Sequence, residues 1–180
     1  GSRYDMVTQN YPADGVPSIG DPSAPVTVEL YSSFSCPPCG SFNDQQLSTL
    51  IDYAATGDIL LEYYPFEIFD TDVIAGVAAQ CAADQFAFWE MQDAIYTLQR
   101  EQGAQAFTSD AMVSAASNIG MIDIGTFETC LAEGDTSLAE LGTSTGQERG
   151  ITGTPGIIVN GERLNSAFEY DMAIQAALGQ

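Results

Sequence analysis

The sequence predicts an α/β fold in which helices flank a mixed central sheet and a helical domain is inserted into the chain. Three observations lead to this prediction. Strand, helix and strand patterns succeed one another over residues 26–65, as in a parallel β-α-β unit. Helical patterns alone fill residues 70–149, and a β-hairpin with a closing helix follows them. A parallel pair and an antiparallel hairpin together make a mixed sheet of about four or five strands.

The β-α-β unit is preceded by a segment of a different kind. Residues 1–25 are rich in proline and glycine without periodicity, so we expect an extended arm with turns and an ordered core that begins after it. Residues 26–32 are β-branched and aromatic, which indicates a buried strand. Apolar residues then recur at helical spacing from Pro37 to a stop at Gly57, and Ile59 to Tyr64 forms a second strand.

The middle of the chain is predicted to be helical. The spacing and the start and stop signals place helices over residues 70–85, 86–100, 108–119, 125–132 and 136–148. Four aromatic residues near helical spacing are expected in the core of this block rather than around a ligand: Phe86, Phe88, Trp89 and Tyr96.

The C-terminal part returns to the sheet. Asn160-Gly161 is a strong hairpin signal because both turn positions accept positive φ, and it separates a strand at 157–159 from an edge strand at 163–165. An amphipathic helix over residues 168–178 closes the chain. The predicted division is an arm of residues 1–25, a sheet domain of residues 26–69 and 150–180, and an inserted helical domain of residues 70–149.

The charge balance excludes several classes of function. The net charge is −21, from 25 acidic residues against four arginines, with no lysine and no histidine. A nucleic-acid partner is not expected, because no basic surface can form. The missing histidine removes Ser-His-Asp and Cys-His nucleophiles and most zinc sites, so we expect no metal. The acidity itself fits adaptation to salt and ordinary solubility equally well.

The Cys36-Pro37-Pro38-Cys39 motif lies where the first strand passes into the helix. Its spacing lets the two sulfurs meet, and unpaired N–H groups with the positive end of the helix dipole stabilise a thiolate at Cys36. We therefore expect Cys36 to be an exposed nucleophile and Cys39 to be a more buried resolving thiol. The alternatives are an inert disulfide and a zinc knuckle, which would need a second close pair that the other two cysteines do not supply.

A second motif, Gly153-Thr154-Pro155-Gly156, directly precedes the short strand that begins at residue 157. A proline between glycines at the entrance of a strand is a candidate cis peptide, although an ordinary trans turn is the commoner outcome.

Three segments resemble the DsbA-like branch of the thioredoxin superfamily. They are GDPSAPVTVELYSSFSCPPC at residues 20–39, AAQCA and FWEMQDAIY within residues 78–96, and GITGTPGIIVNG at residues 150–161. The resemblance implies a thioredoxin-like fold interrupted by a helical domain, and dithiol–disulfide exchange with protein or peptide substrates. It also implies an extracytoplasmic location and a redox partner protein that resets the active site. We expect a monomer without a cofactor.

The same resemblance assigns roles to individual residues. Cys36 matches the attacking cysteine, Cys39 the resolving cysteine, and Pro155 the cis-proline beside them, which reverses the preference for a trans turn. Thr154, just before this proline, is then expected to pair its backbone with an extended substrate.

Two positions depart from the pattern of the family. Many relatives carry an acidic residue six positions before the first cysteine, where it can assist proton transfer, but this position is Leu30. Glu29 should point to the other face of the sheet, which leaves its role in proton transfer open. Pro38 stands where strongly oxidising relatives often carry a histidine. Because each unit of pKa at the attacking cysteine is worth about 1.4 kcal/mol, or about 30 mV, we expect a milder oxidant.

The remaining cysteines, Cys81 and Cys130, lie 49 residues apart in the helical block. A structural disulfide is favoured over a second redox pair because neither residue has C-x-x-C spacing. Such a disulfide would add about 4 kcal/mol on the chain-entropy model and would indicate an oxidising compartment. The third alternative is two buried free thiols.

The function predicted from these features is the oxidation of substrate dithiols through a mixed disulfide at Cys36 that Cys39 resolves. A reductase or isomerase on the same fold is the nearest alternative. A peptide-binding or chaperone module with a merely structural disulfide is another. A metal chaperone is disfavoured by the lack of histidine.

Overall fold

The structure is a computed structural model that describes residues 1–180 and contains six strands and eight α-helices. The strands are β1 Gln9–Asn10, β2 Ser18–Gly20, β3 Val26–Ser32, β4 Ile59–Pro65, β5 Gly156–Val159 and β6 Glu162–Arg163. The helices are α1 Pro37–Gln45, α2 Leu47–Ala55, α3 Asp72–Ala83, α4 Phe88–Gln102, α5 Ser109–Ser117, α6 Ile124–Glu133, α7 Ser137–Glu148 and α8 Tyr170–Ala177. The predicted α/β class with a mixed sheet flanked by helices is confirmed.

The sheet has the strand order β1-β2-β4-β3-β5-β6. β3 runs parallel to β4 from Val26 opposite Ile59 to Ser32 opposite Pro65, and antiparallel to β5, with Leu30 opposite Ile157. All but one of the β3 residues are buried, as expected for a central strand that is covered on both faces. The cysteine motif therefore lies directly after the end of a central strand of the sheet.

The N-terminal segment belongs to the sheet, so the predicted start of the ordered core after residue 25 is wrong. β2 pairs antiparallel with β4, with Ile19 opposite Leu61, and β1 pairs with β2. Tyr4, Val16 and Ile19 are buried. Strands of two and three residues are too short to show a two-residue period, and β2 has a place in the sheet only because it pairs with β4. The sheet consequently has six strands rather than the four or five predicted.

Two further expectations are corrected by tertiary contacts. The single helix predicted from Pro37 is divided at Gln46 between α1 and α2, where the Gln46 side chain accepts a hydrogen bond from Tyr170 of α8. Phe86, expected in the core, is 68% exposed because a left-handed φ of 62° turns it outward between α3 and α4. The other three aromatic residues of that set are buried. The five helices of the middle block begin and end within two residues of their predicted limits.

The helical block packs closely on the sheet. One cluster of 38 buried residues includes side chains from the central strands and from α3, α4, α5 and α6. α7 approaches β4 so closely that a Cβ at Gly142 would lie 2.1 Å from the carbonyl oxygen of Pro65. Cys81 and Cys130 are joined in a disulfide, here called the α3–α6 disulfide, with 5.8 Å between their Cα atoms. None of the helices has both the length and the apolar character needed to cross a bilayer.

Candidate active site

Cys36 and Cys39 lie at the point where β3 gives way to α1. Cys36 is the N-cap residue of α1, and its carbonyl oxygen accepts hydrogen bonds from the N–H groups of Cys39 at 3.0 Å and Gly40 at 3.2 Å. Cys36 is 8% exposed and Cys39 1% exposed. Cys39 is the more buried thiol, as expected, but Cys36 is far less exposed than predicted. The loop that contains Thr154 lies against its sulfur.

The two thiols are unequal in acidity. Both are free in this structure. Hydrogen bonding from the Cys39 S–H is the main influence that lowers the pKa of Cys36 from its ordinary value of 9.0 to about 6, against the opposing effect of burial. Burial, followed by the hydrogen bond with Cys36, raises the pKa of Cys39. At neutral pH the pair therefore holds a thiolate at Cys36 and a proton on Cys39.

The two prolines limit what the helix can contribute to the thiolate. Pro37 and Pro38 occupy the first two helical positions, and neither has an N–H group to donate. The N–H of Cys39 is the first in the helix that can approach the Cys36 sulfur, and it contributes to the lowered pKa. The expected stabilisation by several unpaired N–H groups is therefore reduced to one donor and the helix dipole.

The loop before β5 lies directly against the cysteines. The Thr154–Pro155 peptide bond is cis, and the Cys36 Sγ, in its protonated form, donates to the carbonyl oxygen of Thr154 at 3.7 Å. The Thr154 hydroxyl is buried and has no hydrogen-bond partner. It lies near enough to the sulfur to lower the pKa of Cys36, so it is free to donate to the thiolate. β3 and β5 are neighbours in the sheet, and their pairing brings this loop to the motif.

A buried carboxylate that the sequence did not single out lies beside the site. Asp72, in the first turn of α3, is 2% exposed. It accepts hydrogen bonds from the Ser33 hydroxyl at 2.8 Å and from the backbone N–H groups of Ser35 at 2.9 Å, Ile68 at 2.8 Å and Phe69 at 3.0 Å. The sequence placed Asp72 only near the start of a helix predicted from residue 70. The packing of α3 turns that residue toward the cysteine loop.

Asp72 acts on Cys36 in two ways. It fixes the loop of residues 33–35, and its negative charge works against the thiolate by raising the pKa of Cys36, as a minor influence among those at the site. A residue of α4, Gln99, also binds this loop. The Gln99 amide donates to the carbonyl oxygens of Phe34 at 2.6 Å and Cys36 at 3.0 Å. The inserted helices therefore set the position of the cysteines.

Leu30, at the position where many relatives carry an acidic residue, and its neighbour Glu29 lie on opposite faces of β3. Leu30 is buried in the main cluster with Cys36 and Cys39. Glu29 points to the other face, as strand alternation predicts, where it accepts a hydrogen bond from Tyr31 and forms an ion pair with Arg149. Glu29 therefore contacts Tyr31 and Arg149 on the face of the sheet away from the thiols. No group of three or more histidine, cysteine or acidic side chains is arranged to hold a metal ion.

A mixed sheet with a cysteine pair at the first helix, a cis-proline loop beside it and a helical insertion defines a protein of the thioredoxin fold. A family model described as Thioredoxin matches residues 13–178. The chain belongs to the thioredoxin family.

Known proteins resemble the chain in fold and in sequence. BdbD from Bacillus subtilis, in its oxidised crystal structure, superimposes with a TM-score of 0.82 at 22% identity, covering 97% of this chain and 99% of BdbD. A probable disulfide bond formation protein D from Bacillus cereus is 27% identical over 158 residues, covering 84% of this chain and 73% of that protein. The Na(+)/H(+) antiporter NhaA 3 from Salinispora tropica is 29% identical over 167 residues, which are 88% of this chain and 24% of the antiporter. The chain thus spans about a quarter of the length of that relative.

Proposed function

We propose that this protein exchanges disulfides with protein or peptide substrates, principally by oxidising substrate dithiols. Cys36 is the residue that forms the mixed disulfide, Cys39 is its resolving partner, and Thr154 and Pro155 form the ledge for the substrate backbone. The observation that carries the proposal is the inequality of the thiols, with the pKa of Cys36 lowered to about 6 and that of Cys39 raised. A purely structural disulfide does not require such a difference.

The exchange balances as two successive displacements. A substrate thiolate attacks the Cys36 sulfur of the oxidised pair, the Cys36–Cys39 bond breaks, and Cys39 takes the electron pair and a proton. The second substrate thiolate then attacks the substrate sulfur of the mixed disulfide. Cys36 leaves as a thiolate that the Cys39 S–H stabilises, so two electrons end on the protein. In the reverse direction Cys39 attacks Cys36 and releases the substrate.

The acidity of Cys36 predicts a moderate oxidant. A more acidic thiol favours the dithiol form and raises the reduction potential, at about 30 mV for each pKa unit. The pKa of about 6 at Cys36 lies above the value of about 3.5 known for the most oxidising proteins of this kind. The couple should therefore be roughly 75 mV less oxidising on this account. The Pro38 position, which has no cation or donor, agrees with this.

We place the protein in an oxidising, extracytoplasmic compartment as a monomer that a redox partner protein returns to the disulfide form. The α3–α6 disulfide supports the oxidising compartment. A groove of about 510 Å³ beside Cys36, lined in part by Pro37 and by Phe69, which is 50% exposed, supports a polypeptide substrate.

The test is the oxidation of a reduced, unfolded protein whose activity returns when its disulfides form. The oxidised wild-type protein should restore activity, and Cys36→Ala should not. Cys39→Ala, mixed with the same substrate in its disulfide form, should accumulate a mixed disulfide that mass spectrometry detects, because the Cys36 thiolate displaces one substrate thiolate and no Cys39 thiol is present to resolve the product. Full activity of Cys36→Ala would leave only a peptide-binding or chaperone module. Fast reduction of insulin with slow oxidation of the unfolded substrate would instead assign a reductase or isomerase.

A further inference from the structure

One arginine of this acidic protein has no carboxylate partner. Arg3, Arg100 and Arg149 each form an ion pair, with Asp93, Asp44 and Glu29 respectively. Arg163, in β6, forms none and donates no side-chain hydrogen bond, although the chain carries 25 acidic residues. A free guanidinium in such a protein is an unused binding group for an anion.

The position of Arg163 connects it to the proposed substrate ledge. A groove of about 330 Å³ runs between the loop of residues 151–156, which contains Thr154 and Pro155, and the segment of residues 163–168. Arg163 is the only charged residue that lines this groove, and no acidic side chain does. The neighbouring Glu162 points to the opposite face of β6 by strand alternation.

The groove has the chemistry of a site for an extended polar chain. Its other polar lining groups are the hydroxyls and the amide of Thr152, Thr154, Ser166 and Asn165. An extended substrate that pairs with the Thr154 backbone passes along this groove on one side of its reacting cysteine. A side chain close to that cysteine then comes within reach of the guanidinium, whose planar fork matches a carboxylate.

We propose that Arg163 is a specificity determinant that binds a substrate carboxylate, an aspartate or glutamate side chain within a few residues of the reacting cysteine. The inference rests on the proposed function of the Cys36 site and adds a preference to it. The preference opposes the net charge of −21, which repels acidic substrates at long range. The attraction of Arg163 for the carboxylate can be separated from the long-range repulsion by salt. At physiological ionic strength, charges beyond roughly 8 Å are screened, whereas a direct ion pair persists.

The experiment compares matched dithiol peptides that are acetylated and amidated and differ only in Glu or Gln beside one cysteine. The ratio of kcat/KM for the Glu peptide to that for the Gln peptide is measured with the oxidised protein at about 0.15 M salt. We expect a ratio of about three to five for wild type, as for a good surface ion pair. Arg163→Gln should bring the ratio below one, because only the repulsion remains. Arg163→Lys should give an intermediate value.

Arg3→Gln is the matched control, since it removes the same charge from a residue that lines neither the Arg163 groove nor the groove beside Cys36, and it should keep the wild-type ratio. A wild-type ratio at or below one, or an unchanged ratio in Arg163→Gln, overturns the inference while peptide oxidation itself upholds the proposed function. Failure of the wild-type protein to oxidise either peptide overturns both. A Gln peptide with a free C-terminus tests whether Arg163 binds a C-terminal carboxylate instead of a side chain. If wild type prefers only this peptide and not the Glu peptide, the proposed recognition of a side chain is overturned.

Discussion

The hydrogen bond from Cys39 to Cys36 can be tested by removing its donor without removing the thiol that titrates. Cys39→Ala takes away the S–H group that is the main cause of the lowered pKa of Cys36. Cys39→Ser is the matched control because its hydroxyl retains a donor at nearly the same place. In both variants Cys36 is the only free thiol, since Cys81 and Cys130 form a disulfide.

The size of the effect follows from the strength of the bond. A hydrogen bond to a charged group contributes about 1.5–3 kcal/mol, and the weak S–H donor belongs at the lower end of that range. One pKa unit corresponds to about 1.4 kcal/mol, so the pKa of Cys36 should rise by about one unit in Cys39→Ala. The wild-type pKa is about 6. At pH 7 the thiolate fraction should therefore fall from about nine-tenths to about one-half, while Cys39→Ser stays close to wild type.

Thiolate absorbance and the rate of alkylation, each followed against pH, report this pKa directly. Equal midpoints for Cys39→Ala and Cys39→Ser would refute the assignment and leave the Cys39 N–H and Thr154 as the main stabilising groups. A thermal denaturation series provides a second measure. The pKa of Cys36 is lower in the folded protein, so the stability gained from the thiolate is full above about pH 9.0 and is lost as the pH falls through about 6.

Three further changes test the surroundings of the site and the fold. Asp72→Asn should lower the pKa of Cys36 by a fraction of a unit, because a repelling charge is removed. It should also reduce the free energy of unfolding in denaturant by about 1–3 kcal/mol. A loss of stability without any change in the pKa of Cys36 would show that Asp72 has a purely structural role. Gly142→Ala should destabilise the fold by about 1–3 kcal/mol, because the added methyl group collides with β4. Gly125→Ala is the control: its methyl group meets only an ordinary contact at 3.6 Å, so it should be neutral or slightly stabilising. Equal effects of the two substitutions would contradict the close approach of α7 to β4. Replacing both cysteines of the α3–α6 disulfide with alanine should cost about 4 kcal/mol, and an unchanged melting temperature would contradict this.

The sequence predicted those features that depend on neighbours along the chain. The passage from β3 into a helix that begins with Cys36 and two prolines follows from local conformational preferences. The same is true of the hairpin turn, where Asn160 and Gly161 both adopt positive φ, of 47° and 83°. The limits of the helices in the middle block also follow from local signals, since caps and residue spacing act within one or two helical turns of each end.

Other features required the assembled sheet. The short strands β1 and β2 exist because β4 offers them an edge, and nothing within two or three residues encodes that partner. Gln46 follows the last residue of α1 and accepts a hydrogen bond from Tyr170, which is 124 residues away in the chain. Local patterns carry no information about such contacts, since the free energy that decides them comes from another segment.

The active site combines the two kinds of information. The sequence by itself determined the candidate pair of reacting thiols, because the Cys36–Cys39 spacing and the start of a helix are local. Only the tertiary structure decided their environment. Asp72 reaches the loop at Ser35 across 37 residues, and Thr154 reaches Cys36 across 118 residues. The acidity of a thiol depends on charges and donors within a few ångströms in space, and these are set by the order of the strands and the packing of the inserted helices.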